Sequence, residues 1–246
     1  MKRKKNIKLI LNIIVYVILL LLLICSSIKI FIWYKDKTNN DKIIKEIKNK
    51  VVVKNDDENE KKDIIDVNKL KDENSDVVAY IKVNNTNIEY PIVKTSNNNF
   101  YLNHSFDKSK NSRGWIFADY KNKFDNTDKN IVIYGHNMRD GSMFGSLKNI
   151  LNEEWYNNAE NMNITFLTEN ENYIYKVFSI YKIESEDYYI KTNFKNDEDY
   201  EKFLNTIKNR SIKNFDIKLN TNDKIITLST CANNNKYRIV LHAKKL

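Results

Sequence analysis

The chain has almost no proline, little glycine and only two cysteines. Pro91 is the one proline among 246 residues, and glycine occurs four times. Turns must then draw on asparagine, which tolerates positive φ better than other non-glycine residues. The three histidines, His104, His136 and His242, are far apart in sequence, and no zinc-ligand spacing or 12-residue calcium loop is present. No cofactor and no metal are therefore expected. Acid is missing from the first 29 residues altogether. There is no internal repeat.

Positive charge gathers where acid is missing. Six of the 41 basic residues are Lys2, Arg3, Lys4, Lys5, Lys8 and Lys29, leaving 35 against 32 acidic, a net of +3 from a total of +9. The remainder shows no basic stripe, so nucleic acid is not an expected partner. Residues 9–28, LILNIIVYVILLLLLICSSI, carry no charge, and Asn12 is their one strongly polar side chain. At 1.5 Å per residue such a helix spans about 30 Å, the thickness of a bilayer core. Backbone groups in lipid must bond within the segment, so a transmembrane helix is expected. Trp33 and Tyr34 follow at the interface. The preceding positives predict a cytoplasmic N-terminus (1–8) and an extracellular remainder on a single-pass anchor in the cell membrane. A cleaved signal sequence competes, but the apolar run exceeds the usual h-region of about 7–15 residues.

Residues 29–64 read as a charged, partly helical stalk, and 65–246 as the folded domain. With 41% hydrophobic and 30% charged residues overall, a normal core is possible. Residues 63–73 have helical spacing. Strands are expected at 77–83, 87–93, 113–118, 130–136, 163–168, 172–183, 223–231 and 236–246. Short helical segments are expected at 96–102, 143–149 and 153–161. Residues 197–208 form an amphipathic helix with Tyr200, Phe203, Leu204 and Ile207 on one face. Many short strands with few helices argue for a mostly antiparallel sheet or barrel.

Cys25 falls in the apolar segment, which leaves Cys231 without an intrachain partner in the exported part. An exported unpaired thiol is either a buried structural group or a nucleophile. It ends the ITLST strand, where a side chain can face a cleft. His136 ends the strand IVIYG and is followed closely by Gly141 and Gly145, with Gly135 before it. Glycines this dense in a glycine-poor chain point to tight backbone geometry. A Cys–His pair can generate a thiolate and return a proton to a leaving amine. A hydrogen-bonded surface histidine is the plainer reading. Arg238, on the facing strand across a short loop, could steady an oxyanion or be an ordinary surface arginine.

TLSTC (227–231), RIVLHAKKL (238–246), YGHNM (134–138) and DGSMFGSL (140–147) together resemble class B sortases. VVAYIKVNNTNIEYPIV (77–93), YLNHSFD (101–107) and SRGWIFADY (112–120) are similar to the same class. The resemblance covers roughly residues 65–246 plus the anchor. It implies a mostly β fold, a closed eight-stranded barrel with peripheral helices, preceded by the transmembrane helix.

It also implies a cysteine transpeptidase of Gram-positive surface-protein anchoring. Cys231 would attack a threonine carbonyl in the C-terminal sorting motif of an exported protein. The thioester would then pass to the amine of a peptidoglycan precursor. His136 would be the acid and base, and Arg238 would hold substrate backbone and the oxyanion. Asn98, Leu102, Tyr189, Ile190 and Ser229 would line the substrate groove. A pilin-polymerising sortase using a lysine amine and a non-enzymatic, membrane-tethered binding module are the alternatives. The sequence departs from the family in its short Cys-to-Arg interval, ANNNKY, in Asn84-Asn85 at a turn, and in Ala79-Tyr80. No aspartate is assigned beside His136.

Overall fold

A computed structural model describes residues 2–53, 64–230 and 236–246. The chain divides into two compact units, Met1–Lys42 and Ile43–Leu246. Helix α1 (Lys2–Val51) enters both. In the first unit its apolar residues, from Ile7 to Tyr34, are exposed, and the helix is long and apolar enough to cross a membrane. Helix continues through the charged stretch expected to be a partly helical stalk. No proline or glycine interrupts it, and Lys37 pairs with Asp41 one turn on, at 2.7 Å.

The second unit starts with the last turns of α1, where Ile43 and Ile47 are buried in the domain core. Strands β1 (Val52–Val53) and β2 (Ile64–Ile65) form a small antiparallel pair. Helix α2 (Val67–Glu73) is capped by Asp66, whose carboxylate accepts from Asn68 N–H. Then follow β3 (Val77–Val83), β4 (Glu89–Val93), β5 (Phe117–Ala118) and β6 (Asn130–Gly135). Helix α3 (Glu153–Tyr156), β7 (Asn163–Leu167) and β8 (Asn172–Glu184) come next. Helix α4 (Asp197–Asn209), β9 (Ile225–Thr230) and β10 (Tyr237–Lys245) complete the chain.

Eight strands close a barrel in the order β10-β8-β7-β3-β4-β5-β6-β9, with β9 returning to β10. Closure gives every barrel strand a neighbour on both sides, with the two-residue β5 the shortest link. Among the described residues, only β4–β5 and β6–β9 pair in parallel. The β6–β9 register runs from Asn130 opposite Ile225 to Gly135 opposite Thr230, so the two strands end together. That shared end is where the candidate chemistry gathers.

Two expectations change in detail. The strand read at 113–118 shrinks to Phe117–Ala118, because Gly114 turns left-handed and Trp115 N–H is taken by Tyr101 O. Among the described residues asparagine supplies Asn85 and Asn126 of the positive-φ positions, and Lys108, Phe124, Met143 and Asp216 supply the other non-glycine ones. Helix α4 buries the expected face of Tyr200, Phe203, Leu204 and Ile207 against β8 and β10. Each such side chain contributes about 1.5–3 kcal/mol.

Candidate active site

His136 follows β6 directly. Its ring is 5% exposed, and Nε2 lies 2.7 Å from Leu102 O. A carbonyl only accepts, so Nε2 carries a hydrogen and Nδ1 is left as the nitrogen able to gain or lose a proton. Among the described residues the ring's partner is therefore a carbonyl and no carboxylate. The approach depends on Gly114 at φ +60°: a Cβ there would stand 2.9 Å from Leu102 O and 3.0 Å from His136 Cδ2. The loop after His136 folds back through Phe144 N–H, which donates to His136 O. Gly145 permits this, since its Cβ would meet Met138 O at 2.1 Å. Buried Arg113 donates to Asp140 and Ser142 of the same loop. Burial pushes the Asp140 carboxyl up, but hydrogen bonds from Ser142 and Arg113 hold it below the usual value.

Arg238, 8% exposed, is the second residue of β10 and lies opposite Ile183 of β8. Its Nη2 donates to Ser185 Oγ at 2.8 Å. Thr230 Oγ1 accepts from Ile239 N–H at 3.1 Å, tying the end of β9 to β10. Ser229 Oγ and Tyr189 Oη are 2.9 Å apart, which anchors the turn Tyr188–Ile190 to the barrel.

One cleft of about 640 Å³ joins Arg238, Ser185, Thr230, Ser229 and Tyr189. Asn98, Leu102, Tyr189, Ile190, Ser229 and Arg238 all line it. His136 is not in the wall but bonds Leu102, which is. Cys231 lies outside the described residues, as does the Ala232–Asn235 part of the short interval. Sequence reasoning missed Phe117, Tyr134, Ser185, Glu186 and Asp187, which also line the cleft. It also missed Gly114, whose rarity in a chain with four glycines was the available signal.

The other histidines have different surroundings. His104 stacks on Phe100 at 4.0 Å and bonds its carbonyl. His242 is fully buried between Tyr181 and Thr227, and burial lowers it from 6.5 to about 3. A smaller cavity of about 370 Å³ sits where β9 begins and β10 ends. Its Asp125 and Asp128 carboxylates bond their own loop, to Thr127 and to Lys123 and Phe124 N–H, so it offers no nucleophile and base pair.

The Sortase domain family model matches residues 81–246. A Sortase B of Listeria monocytogenes is 36% identical over 174 residues, 70% of this chain and 70% of the relative. A Staphylococcus aureus sortase B–substrate complex superposes with a TM-score of 0.69 at 36% identity, covering 73% of this chain and 84% of the other. Sortase B from B. anthracis in complex with AAEK1 gives 0.76 at 32% identity, covering 87% and 99%.

Proposed function

The chain belongs to the sortase family, in its class B, and is a cysteine transpeptidase; we propose that Cys231, His136 and Arg238 are its catalytic residues. The observation that carries this is the single cleft that Asn98, Leu102, Tyr189, Ile190, Ser229 and Arg238 share, beside the ring of His136. Thr230, the residue before Cys231 in the sequence, lines the same cleft.

In the first step the Cys231 thiolate attacks the threonine carbonyl carbon of a sorting motif. The electron pair moves to oxygen, and Arg238 donates to the oxyanion. The C–N bond breaks as the protonated Nδ1 of His136 delivers its proton to the leaving amine, which leaves a thioester. The incoming amine then gives a proton to Nδ1 and attacks the thioester, and the thiolate departs. Family members act on sorting-motif substrates, and the S. aureus sortase B was solved as a substrate complex. The finer reading is that the motif sits near the C-terminus of exported proteins and that the amine belongs to a peptidoglycan precursor. Residues 9–28 anchor the enzyme, 1–8 stay cytoplasmic, 29–64 link, and 65–246 form the extracellular catalytic domain.

The test is to incubate the full chain in detergent with a threonine-centred peptide library and search by mass spectrometry for a thioester adduct. An adduct on Cys231 is expected in the wild type, with none in Cys231→Ala. An adduct on another residue would overturn the assignment. Adding cell-wall fragments with free amino groups should release the acyl group as a new amide; release by water alone would refute the proposed acceptor.

A further inference from the structure

Asp119 follows β5 and is buried, 4% exposed, behind the wall of the cleft. Its carboxylate is met by donors alone. Oδ2 accepts from Asn98 Nδ2 at 2.9 Å and from Tyr134 Oη at 2.8 Å. Oδ1 accepts from Lys121 N–H at 2.9 Å. The other end of the Asn98 amide is also committed, because Oδ1 accepts from Tyr120 N–H at 2.9 Å. Asn98 and Tyr134 line the cleft; Asp119 does not.

These bonds allow one orientation of the Asn98 amide. Turning it over would set its oxygen against the Asp119 carboxylate and its NH2 against Tyr120 N–H. Neither pair can form a hydrogen bond, and a buried carboxylate makes the first one costly. With the oxygen and one amide hydrogen engaged, the second amide hydrogen has no acceptor among the described residues. Asn98 is half-buried and on the cleft wall. The same carboxylate draws the Tyr134 hydroxyl inward, where its ring packs 5.3 Å from Phe117 on the wall.

We infer that Asp119 is a positioning residue for substrate selection: it locks Asn98 to present an N–H donor, and the donor receives a carbonyl oxygen of the bound sorting peptide. This rests on the assignment of the cleft as the peptide site. Asp119 itself touches no substrate. The specificity follows from polarity, since a substrate group opposite Asn98 must accept.

The polarity can be separated from the structural bond by exchanging the two side chains. Asp119→Asn lets the Asn98 amide turn over. Asn98→Asp removes the donor and sets two carboxylates together. The double variant restores the internal bond in reverse, with the amide now at position 119 donating to the carboxylate now at position 98. Tyr120 N–H still finds an acceptor, yet the cleft is presented with a carboxylate. The assay is steady-state cleavage of a fluorogenic threonine-centred peptide pool by the full chain in detergent, with thermal midpoints measured in parallel.

Each single variant is expected to raise KM about tenfold, the effect of one lost hydrogen bond to a donor in place, with kcat within about twofold. The double variant is expected to regain the wild-type midpoint while KM stays raised. Recovery of both in the double variant would reduce Asp119 to a structural role and overturn the inference, as would an unchanged KM in Asp119→Asn. Cleavage retained in Cys231→Ala would overturn the catalytic assignment alone, because KM among the cleft variants is still read on the activity that remains.

Discussion

His136 and His242 stand on one barrel and have opposite surroundings. His242 sits mid-strand in β10, and both ring nitrogens are engaged: Tyr181 Oη lies 2.7 Å from Nε2 and Thr227 Oγ1 lies 2.8 Å from Nδ1. The Thr227 hydroxyl donates to Asn130 Oδ1, and the Asn130 amide is fixed by donating to Lys191 O. Thr227 has one hydrogen, so Nδ1–H of His242 must donate to it and Nε2 must accept from Tyr181. The ring is neutral and saturated. His136 sits one residue past the end of β6, with Nε2 donating to Leu102 O and Nδ1 without a partner among the described residues. The same side chain is a structural plug where the ladder surrounds it and keeps one ring nitrogen open, as the proposed proton carrier needs, where the ladder stops.

Exchanging the roles is the strongest way to break this contrast. His136→Ala should lower kcat/KM for peptide cleavage by about 10²–10⁴-fold, the usual worth of a general acid–base. Its thermal midpoint should stay near that of the wild type, since Nε2 makes a single bond. His242→Ala should do the reverse, unfolding early while whatever folds keeps its kcat. Thioester formation at the wild-type rate in His136→Ala would end the assignment of Nδ1 as the proton carrier.

The contrast was half legible in the sequence. The strand that ends just before His136 and the strand that carries His242 were both expected from their apolar runs, and β3, β6 and β10 begin and end within a residue of expectation. The wall residues came from a motif resemblance, and the structure brings Asn98, Leu102, Tyr189, Ile190 and Ser229 to one cleft. What could not be read was carried by backbone atoms. Leu102 orients His136 through its carbonyl, so its side-chain identity gives no hint. Gly114 matters for the Cβ it lacks. Asp119 looked like one acid among 32, because its donors come from Asn98, 21 residues before it, and Tyr134, 15 after it. Helix α1 runs to Val51 with Ile43 and Ile47 buried, within the segment expected to be a partly helical stalk.

Acid should sharpen the contrast by loading one histidine's linkage. Burial lowers His242 from 6.5 to about 3. Below about 6.5 the unfolded chain binds a proton there that the folded chain refuses, so stability is full above that value and falls as pH drops toward about 3. The slope from this one group approaches about 1.4 kcal/mol per pH unit. Between pH 6.5 and 5 the carboxylates, with ordinary values near 3.8 and 4.5, add little. Urea unfolding of the wild type and His242→Gln across that window should show a steeper fall in the wild type. Equal slopes would mean that His242 takes up its proton in the folded state.

The smallest effect compares two tyrosines that serve the two regions. Tyr181 supplies the hydrogen that His242 Nε2 accepts inside the barrel, and Tyr189 meets Ser229 on the cleft wall. Tyr181→Phe leaves a buried nitrogen acceptor with nothing to accept, a penalty of about 1–3 kcal/mol. Tyr189→Phe removes the bond to Ser229 Oγ, which keeps a partner in Thr230 O at 3.3 Å, and the net worth of that bond is about 0.5–1.5 kcal/mol. Unfolding free energies of the two variants at pH 7 order them directly. A larger loss for Tyr189→Phe would mean that the cleft wall holds the barrel together more tightly than its buried histidine does, and the division between a saturated interior and an open cleft edge would fail.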